Sequence, residues 1–158
     1  MWRRWVLIGL LPAMLLASGC QANAGGWIPS NDGISKATFG FVFDALSNTF
    51  SGTYKDPNGQ TPLGTLDVDI FGTGVVRTGP PGQFQAVLCT GSTVFGTTPY
   101  QVNSGAFKGA TGTLDLFLCD LDGNGKANEG DFLSITVTSG PYTGYRNAGF
   151  VQGNISLN

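Results

Sequence analysis

Beyond its first 19 residues the chain offers no room for a helix. Its 25 glycines and 8 prolines are spread so evenly that almost no long run lacks Gly, Pro or Asn. Each glycine inside a helix costs about 1 kcal/mol and each proline about 3 kcal/mol relative to alanine. Between these breakers the apolar residues recur at period two. ATFGFVF, residues 37 to 43, sets Phe39, Phe41 and Phe43 on one face, and GTLDVDI, residues 64 to 70, does so with Leu66, Val68 and Ile70. Further strands are expected over 48–54, 75–78, 83–90, 100–103, 112–120, 132–139 and 148–157. Asp56-Pro57-Asn58-Gly59, Gly79-Pro80-Pro81-Gly82 and Gly140-Pro141 supply turns between them. Many short strands at this spacing predict an all-β domain: an antiparallel β-sandwich of jelly-roll or Greek-key type, with a barrel as the alternative.

The N-terminus follows other rules. Arg3 and Arg4 precede an apolar stretch from Trp5 to Ala17, the layout of a secretory signal. The stretch is shorter than the roughly 18 to 20 residues of a membrane span, and Pro12 interrupts it. Trp2 and Trp5 flank the arginines, a poor match to a twin-arginine signal, so they read as a generic basic start. Leu16-Ala17-Ser18-Gly19-Cys20 resembles the lipobox of bacterial lipoproteins. The resemblance implies cleavage after residue 19, a lipidated Cys20 bearing diacylglycerol and an N-acyl chain such as palmitate, and stable membrane anchoring, since two or more acyl chains hold where one does not. An ordinary secretory signal with a cysteine near its cut is the alternative. Residues 20–35, polar and glycine-containing, read as a tether, and 36–158 as a single domain.

Removing 19 residues leaves 139, enough for one domain with a real core. Arg3 and Arg4 leave with the signal, so six basic side chains face ten acidic ones, net −4, and no basic patch remains for nucleic acid. Of three cysteines, lipidation claims Cys20 and leaves Cys89 and Cys119. Export permits a disulfide between them; two buried free thiols are the other reading.

The most chemically suggestive stretch is CDLDGNGKANEGDF, residues 119 to 132. Counting from Asp120, oxygen-bearing side chains fall at positions one (Asp120), three (Asp122), five (Asn124), nine (Asn128) and twelve (Asp131), with Gly125 at six and the Lys126 carbonyl at seven. A twelve-residue loop wraps Ca²⁺ with these spacings. The pattern resembles the calcium loops of EF-hands and, with aspartate at twelve, those of dockerins. It implies a structural Ca²⁺ held by Asp120, Asp122, Asn124, Lys126, Asn128 and Asp131. The fold of those families does not carry over, because β-like sequence flanks the loop on both sides and Ala127 stands where a larger apolar residue is usual. Turns need Asp, Asn and Gly with or without an ion, so a polar turn remains open.

Other candidates are fewer. Asp67 and Asp69 share a strand face about 6 to 7 Å apart, a spacing for paired carboxylates in a hydrolase or for the wet side of a half-buried strand. Tyr142 and Tyr145 could display rings to a glycan or a partner protein, or pack at the rim. With no histidine in the chain, Ser-His-Asp and Cys-His nucleophiles and His-ligated zinc are excluded. No lysine has a serine three residues before it, so serine-lysine chemistry lacks support. GDFLSITV (130–137), GFVQGNI (149–155) and TFGF (38–41) resemble the post-COAP type of secreted bacterial β-module, which implies an extracytoplasmic β-domain and no particular activity.

These readings together describe a lipid-anchored cell-envelope protein, outside the cytoplasm, with a structural or adhesive role toward envelope, matrix or glycan. A β-barrel carrying a small apolar ligand and a hydrolase built on acidic residues are the rivals.

Overall fold

The computed structural model describes residues 21–44, 46–58, 64–73, 75–79, 82–84, 87–89, 91–121 and 130–157. Among them the regular structure is all strand: β1 (Gln21–Pro29), β2 (Lys36–Asp44), β3 (Thr49–Asp56), β4 (Leu66–Thr73), β5 (Val75–Gly79), β6 (Gly82–Phe84), β7 (Val87–Cys89), β8 (Ser92–Val102), β9 (Thr111–Asp120), β10 (Phe132–Val137), β11 (Arg146–Phe150) and β12 (Gln152–Leu157). One antiparallel sheet runs β11-β10-β9-β8-β4-β3-β2-β1-β12, with β5 continuing β4 along the same edge of the long β8. β6 and β7 form a small separate ladder.

Of the two expected all-β architectures the sheet approaches the barrel. Its terminal strands, β11 and β12, are consecutive in the chain with only Val151 between them, so the chain steps from one edge of the sheet to the other. Val151 N donates to Asp131 O at 2.7 Å at this step. Side chains seal the seam where ladder hydrogen bonds are lacking. Asn147 Nδ2 donates to Pro29 O (3.1 Å) and Asn31 Nδ2 to Arg146 O (2.6 Å). At the other end Asp131 Oδ2 accepts Ile155 N (2.8 Å) and Asp120 Oδ2 accepts Leu157 N (3.2 Å). Gly26 and Gly153 pair across β1 and β12, and a Cβ on Gly153 would lie 2.1 Å from Gly25 O. Only glycine lets these two backbones approach so closely.

The period-two pattern fills the interior. On β2, Ala37, Phe39, Phe41 and Phe43 are buried while Lys36, Thr38 and Val42 are exposed. Phe39, Phe41, Phe43 and Phe50 stack and tilt against one another with ring centroids 5.3 to 5.9 Å apart. Leu66, Val68, Ile70, Tyr100, Leu114, Leu118, Leu133, Ile135 and Ile155 complete the same core. A second, smaller cluster lies on the outer face of β9 and β10: Cys89, Phe117, Cys119 and Phe132, flanked by Leu121. There Cys89 and Cys119 form the disulfide, with their Cα atoms 5.9 Å apart.

Several expectations need correction. The single strand expected over 148–157 is two, β11 and β12, parted at Val151 and lying on opposite edges of the sheet. Within the stretch 20–35 read as a tether, Gln21–Pro29 is strand β1, paired with β2 on one side and β12 on the other. Its inward side chains Ala24 and Ile28 are buried, and the alternation is faint in the sequence because Ala24 and Gly26 are too small to register as apolar. The single strand over 83–90 is the two-strand β6–β7 ladder.

The disulfide spans 30 residues of chain. Closing such a loop in the unfolded state contributes about 3 to 4 kcal/mol. Replacing both Cys89 and Cys119 by Ser is expected to lower stability by about that amount, read by urea unfolding with a larger m-value, since the unfolded chain without the cross-link exposes more surface.

Candidate functional site

The barrel has two unlike ends. The connections 30–35, 103–110 and 138–145 meet the end of β3 and the start of β4 at one; the starts of β1 and β10 and the ends of β2 and β9 meet at the other.

At the first end five buried polar side chains from distant strands form one hydrogen-bonded chain. Asp56, wholly buried at the end of β3, accepts Ser30 Oγ (2.5 Å) and Asn58 N (3.1 Å) on Oδ1 and Tyr145 OH (2.6 Å) on Oδ2. The Tyr145 proton is thereby used, so its 2.7 Å contact with Tyr54 OH is donated by Tyr54. Tyr54 in turn accepts Asn147 Nδ2 at 3.0 Å. The donor order runs from Asn147 through Tyr54 and Tyr145 to Asp56. Burial pushes both phenols well above their ordinary range; for Tyr145 the neighbouring Tyr54 and Asp56 add to it. These groups tie β1, β3 and β11 together, and their chemistry is that of a latch: every polar atom named has a partner, as burial requires.

Tyr145 is thus not displayed to a partner, and neither is Tyr142. Both rings are buried. The 138–145 turn folds back through Gly144 N to Val137 O (3.0 Å) and Tyr145 N to Tyr142 O (3.0 Å), which swings both side chains inward. Tyr142 OH donates to Thr65 O at 3.3 Å, and its ring meets Phe107 edge-on at 5.9 Å. The spacing of three in Tyr142-Thr-Gly-Tyr145 was the available signal, since it places both rings on one side of a tight turn.

Asp67 and Asp69 face the outer side, each already engaged. Asp67 Oδ2 accepts Ser104 Oγ (3.0 Å) and lies 3.7 Å from Lys55 Nζ; Asp69 Oδ1 accepts Asn103 Nδ2 (2.8 Å). The pair anchors the 103–110 connection.

Of the six candidate calcium ligands, Asp122, Asn124, Lys126 and Asn128 lie outside the described residues, as does Cys20. The two that frame the loop, Asp120 and Asp131, are buried. Asp131 accepts Leu121 N on Oδ1 (3.1 Å) and Ile155 N on Oδ2, and Asp120 accepts Leu157 N, so both carboxylates cap the outer edge of β12. A carboxylate oxygen that accepts one N–H keeps a lone pair for a cation, so this role and metal ligation are compatible.

On the outer face Gly25 pairs with Gly40, and their missing side chains leave a shallow depression of about 400 Å³ lined by Asn23, Val42 and Asn154. Compared with known protein families, with curated proteins and with solved structures, the chain finds no match.

Because folding raises the pKa of both phenols, the unfolded chain releases their protons first. The stability they carry is whole below about pH 10 and drains as pH rises above it. Tyr145→Phe is expected to cost about 2 kcal/mol at pH 7, by stripping Asp56 and Tyr54 of a partner, and to flatten the loss of stability above pH 10. Urea unfolding of both proteins from pH 7 to 11 checks both effects.

Proposed function

We propose that this protein is a lipid-anchored, extracytoplasmic β-barrel with a structural or adhesive role, contacting envelope, matrix or glycan through its loops. The observation that carries the reading is the Leu16-Ala17-Ser18-Gly19-Cys20 lipobox directly after an apolar signal stretch. The Cys89–Cys119 disulfide supports it, because such bonds persist in oxidising compartments. The side chains filling the barrel weigh against a small-ligand carrier, which needs an open interior. The hydrogen bonds on Asp67 and Asp69 weigh against their working as a hydrolytic pair.

The expected product in a bacterial host is a chain beginning at Cys20 and carrying diacylglycerol and an N-acyl chain. Mass spectrometry of the detergent-extracted protein checks this, and Cys20→Ser should release the domain to the soluble fraction. A membrane-free wild-type protein with an unmodified Cys20 would refute the anchoring.

The 120–131 loop belongs to the same proposal as a structural Ca²⁺ site. Asp120 and Asp131 would hold the ion and, through Leu157 N and Ile155 N, transmit its binding to β12. With affinity of about 10⁻³ M, as in weak extracellular sites, 10 mM Ca²⁺ would add about 1.4 kcal/mol. For a domain of this size that is a rise of roughly 5 °C in melting temperature over EDTA. An equal melting temperature in Ca²⁺ and EDTA would leave the loop a polar turn.

A further inference from the structure

β1 begins at Gln21, one residue after the lipobox cysteine, and Gln21 pairs with Asp44, the last residue of β2. Successive Cα atoms lie about 3.8 Å apart, so acyl chains on Cys20 would emerge from the barrel end itself, with no spacer. Beside that point stands the turn over 46–48. Asp44 Oδ1 accepts Leu46 N (2.9 Å), its Oδ2 accepts Ser47 Oγ (2.8 Å), and Ser47 Oγ meets Thr49 Oγ1 (2.7 Å). This bonding holds Leu46 outward, 69% exposed. Two residues up the strands, Val42 and Phe71 flank Ser51 on the outer face, 42% and 45% exposed. Phe95, near the start of β8, is also exposed on this half of the barrel. Of the other described large exposed hydrophobics, Ile34 stands at the opposite end, and Phe150 lies two residues from Gln152, the partner of Trp27. That opposite end carries Lys36, Lys55, Lys108 and Arg146.

We propose that the rim formed by Leu46, Val42 and Phe71 rests in the lipid bilayer, fixing the barrel upright with its Asp56–Tyr145 end turned away from the membrane. The inference rests on acylation of Cys20. A weak apolar patch suffices because the acyl chains hold it at the interface at high effective concentration. The loops 30–35, 103–110 and 138–145 then form the outward surface, and the buried latch beneath them keeps that surface rigid.

Trp27 makes the orientation measurable. Trp2 and Trp5 leave with the signal, so Trp27 is the one indole of the processed chain. It lies six residues along β1 from Gln21, about 20 Å by strand rise. The acylated full chain would be reconstituted into phosphatidylcholine vesicles with brominated acyl chains, which quench indole emission at contact. In a Trp27→Phe background, Leu46→Trp and Phe71→Trp are expected to lose most of their emission relative to unbrominated vesicles, and Ile34→Trp and the native Trp27 to keep nearly all of theirs. Three outcomes overturn the proposal. If mass spectrometry shows Cys20 unacylated, the anchoring reading falls and the orientation with it. If Cys20 is acylated but the indole at position 46 is quenched no more than that at position 34, the upright orientation alone falls. If all positions are quenched alike, the barrel has no fixed orientation.

Discussion

Closure of the sheet by its own C-terminal strand is the constraint on which the rest of this structure depends. An open sheet of nine strands would present two long edges of unpaired N–H and C=O groups, a template for association with other chains. Here the two edge strands are one stretch of chain bent at Val151, so the edges meet. The closure is incomplete as a ladder, and carboxylates and amides finish it. Ile155 N and Leu157 N, on the side of β12 turned away from β1, are taken by Asp131 and Asp120; Pro29 O and Arg146 O are taken by Asn147 and Asn31. Hydrogen bonds to an ionised acceptor are stronger than neutral ones, so two short acidic side chains can replace part of a ladder.

The two ends of the barrel are held by different physics. At the Asp56 end a proton-ordered chain of hydroxyl, amide and carboxylate groups spans β1, β3 and β11, and its strength depends on all its members being satisfied. At the other end the outer face of β9 and β10 is dry, covered by Phe117, Phe132 and Leu121 around the disulfide. The covalent bond ties the short β6–β7 ladder, a sheet of its own among the described residues, to β9.

Much of this was legible where alternation is strong. The strands β2, β4, β9 and β10 fall within a few residues of their expected limits, because phenylalanine, leucine, valine and isoleucine at every second position leave no other register. β1 was not, since Ala22, Ala24 and Gly26 alternate with Asn23 and Gly25 at low contrast. The smallness that suggests a tether is the adaptation that lets β12 approach at Gly26 and Gly153. The latch was invisible for another reason: Asp56 meets Ser30 across 26 residues and Tyr145 across 89, and nothing local to a tyrosine distinguishes a displayed ring from one reaching a buried carboxylate.

The acidic loop shows where pattern and structure address the same residues from two sides. A twelve-residue cation loop and a pair of edge caps both place a short carboxylate at each end of the loop, so the spacing of Asp120 and Asp131 fits either. The departure from the usual glutamate at position twelve is what the structure explains. Asp131 accepts two backbone amides at once, Leu121 N on one oxygen and Ile155 N on the other, in a wholly buried position between β9, β10 and β12. A side chain one methylene longer would carry its carboxylate past both donors or force the three strands apart. Aspartate at this position therefore follows from closing the barrel, whatever the loop holds, and an ion bound there would strengthen a contact that the seam already requires.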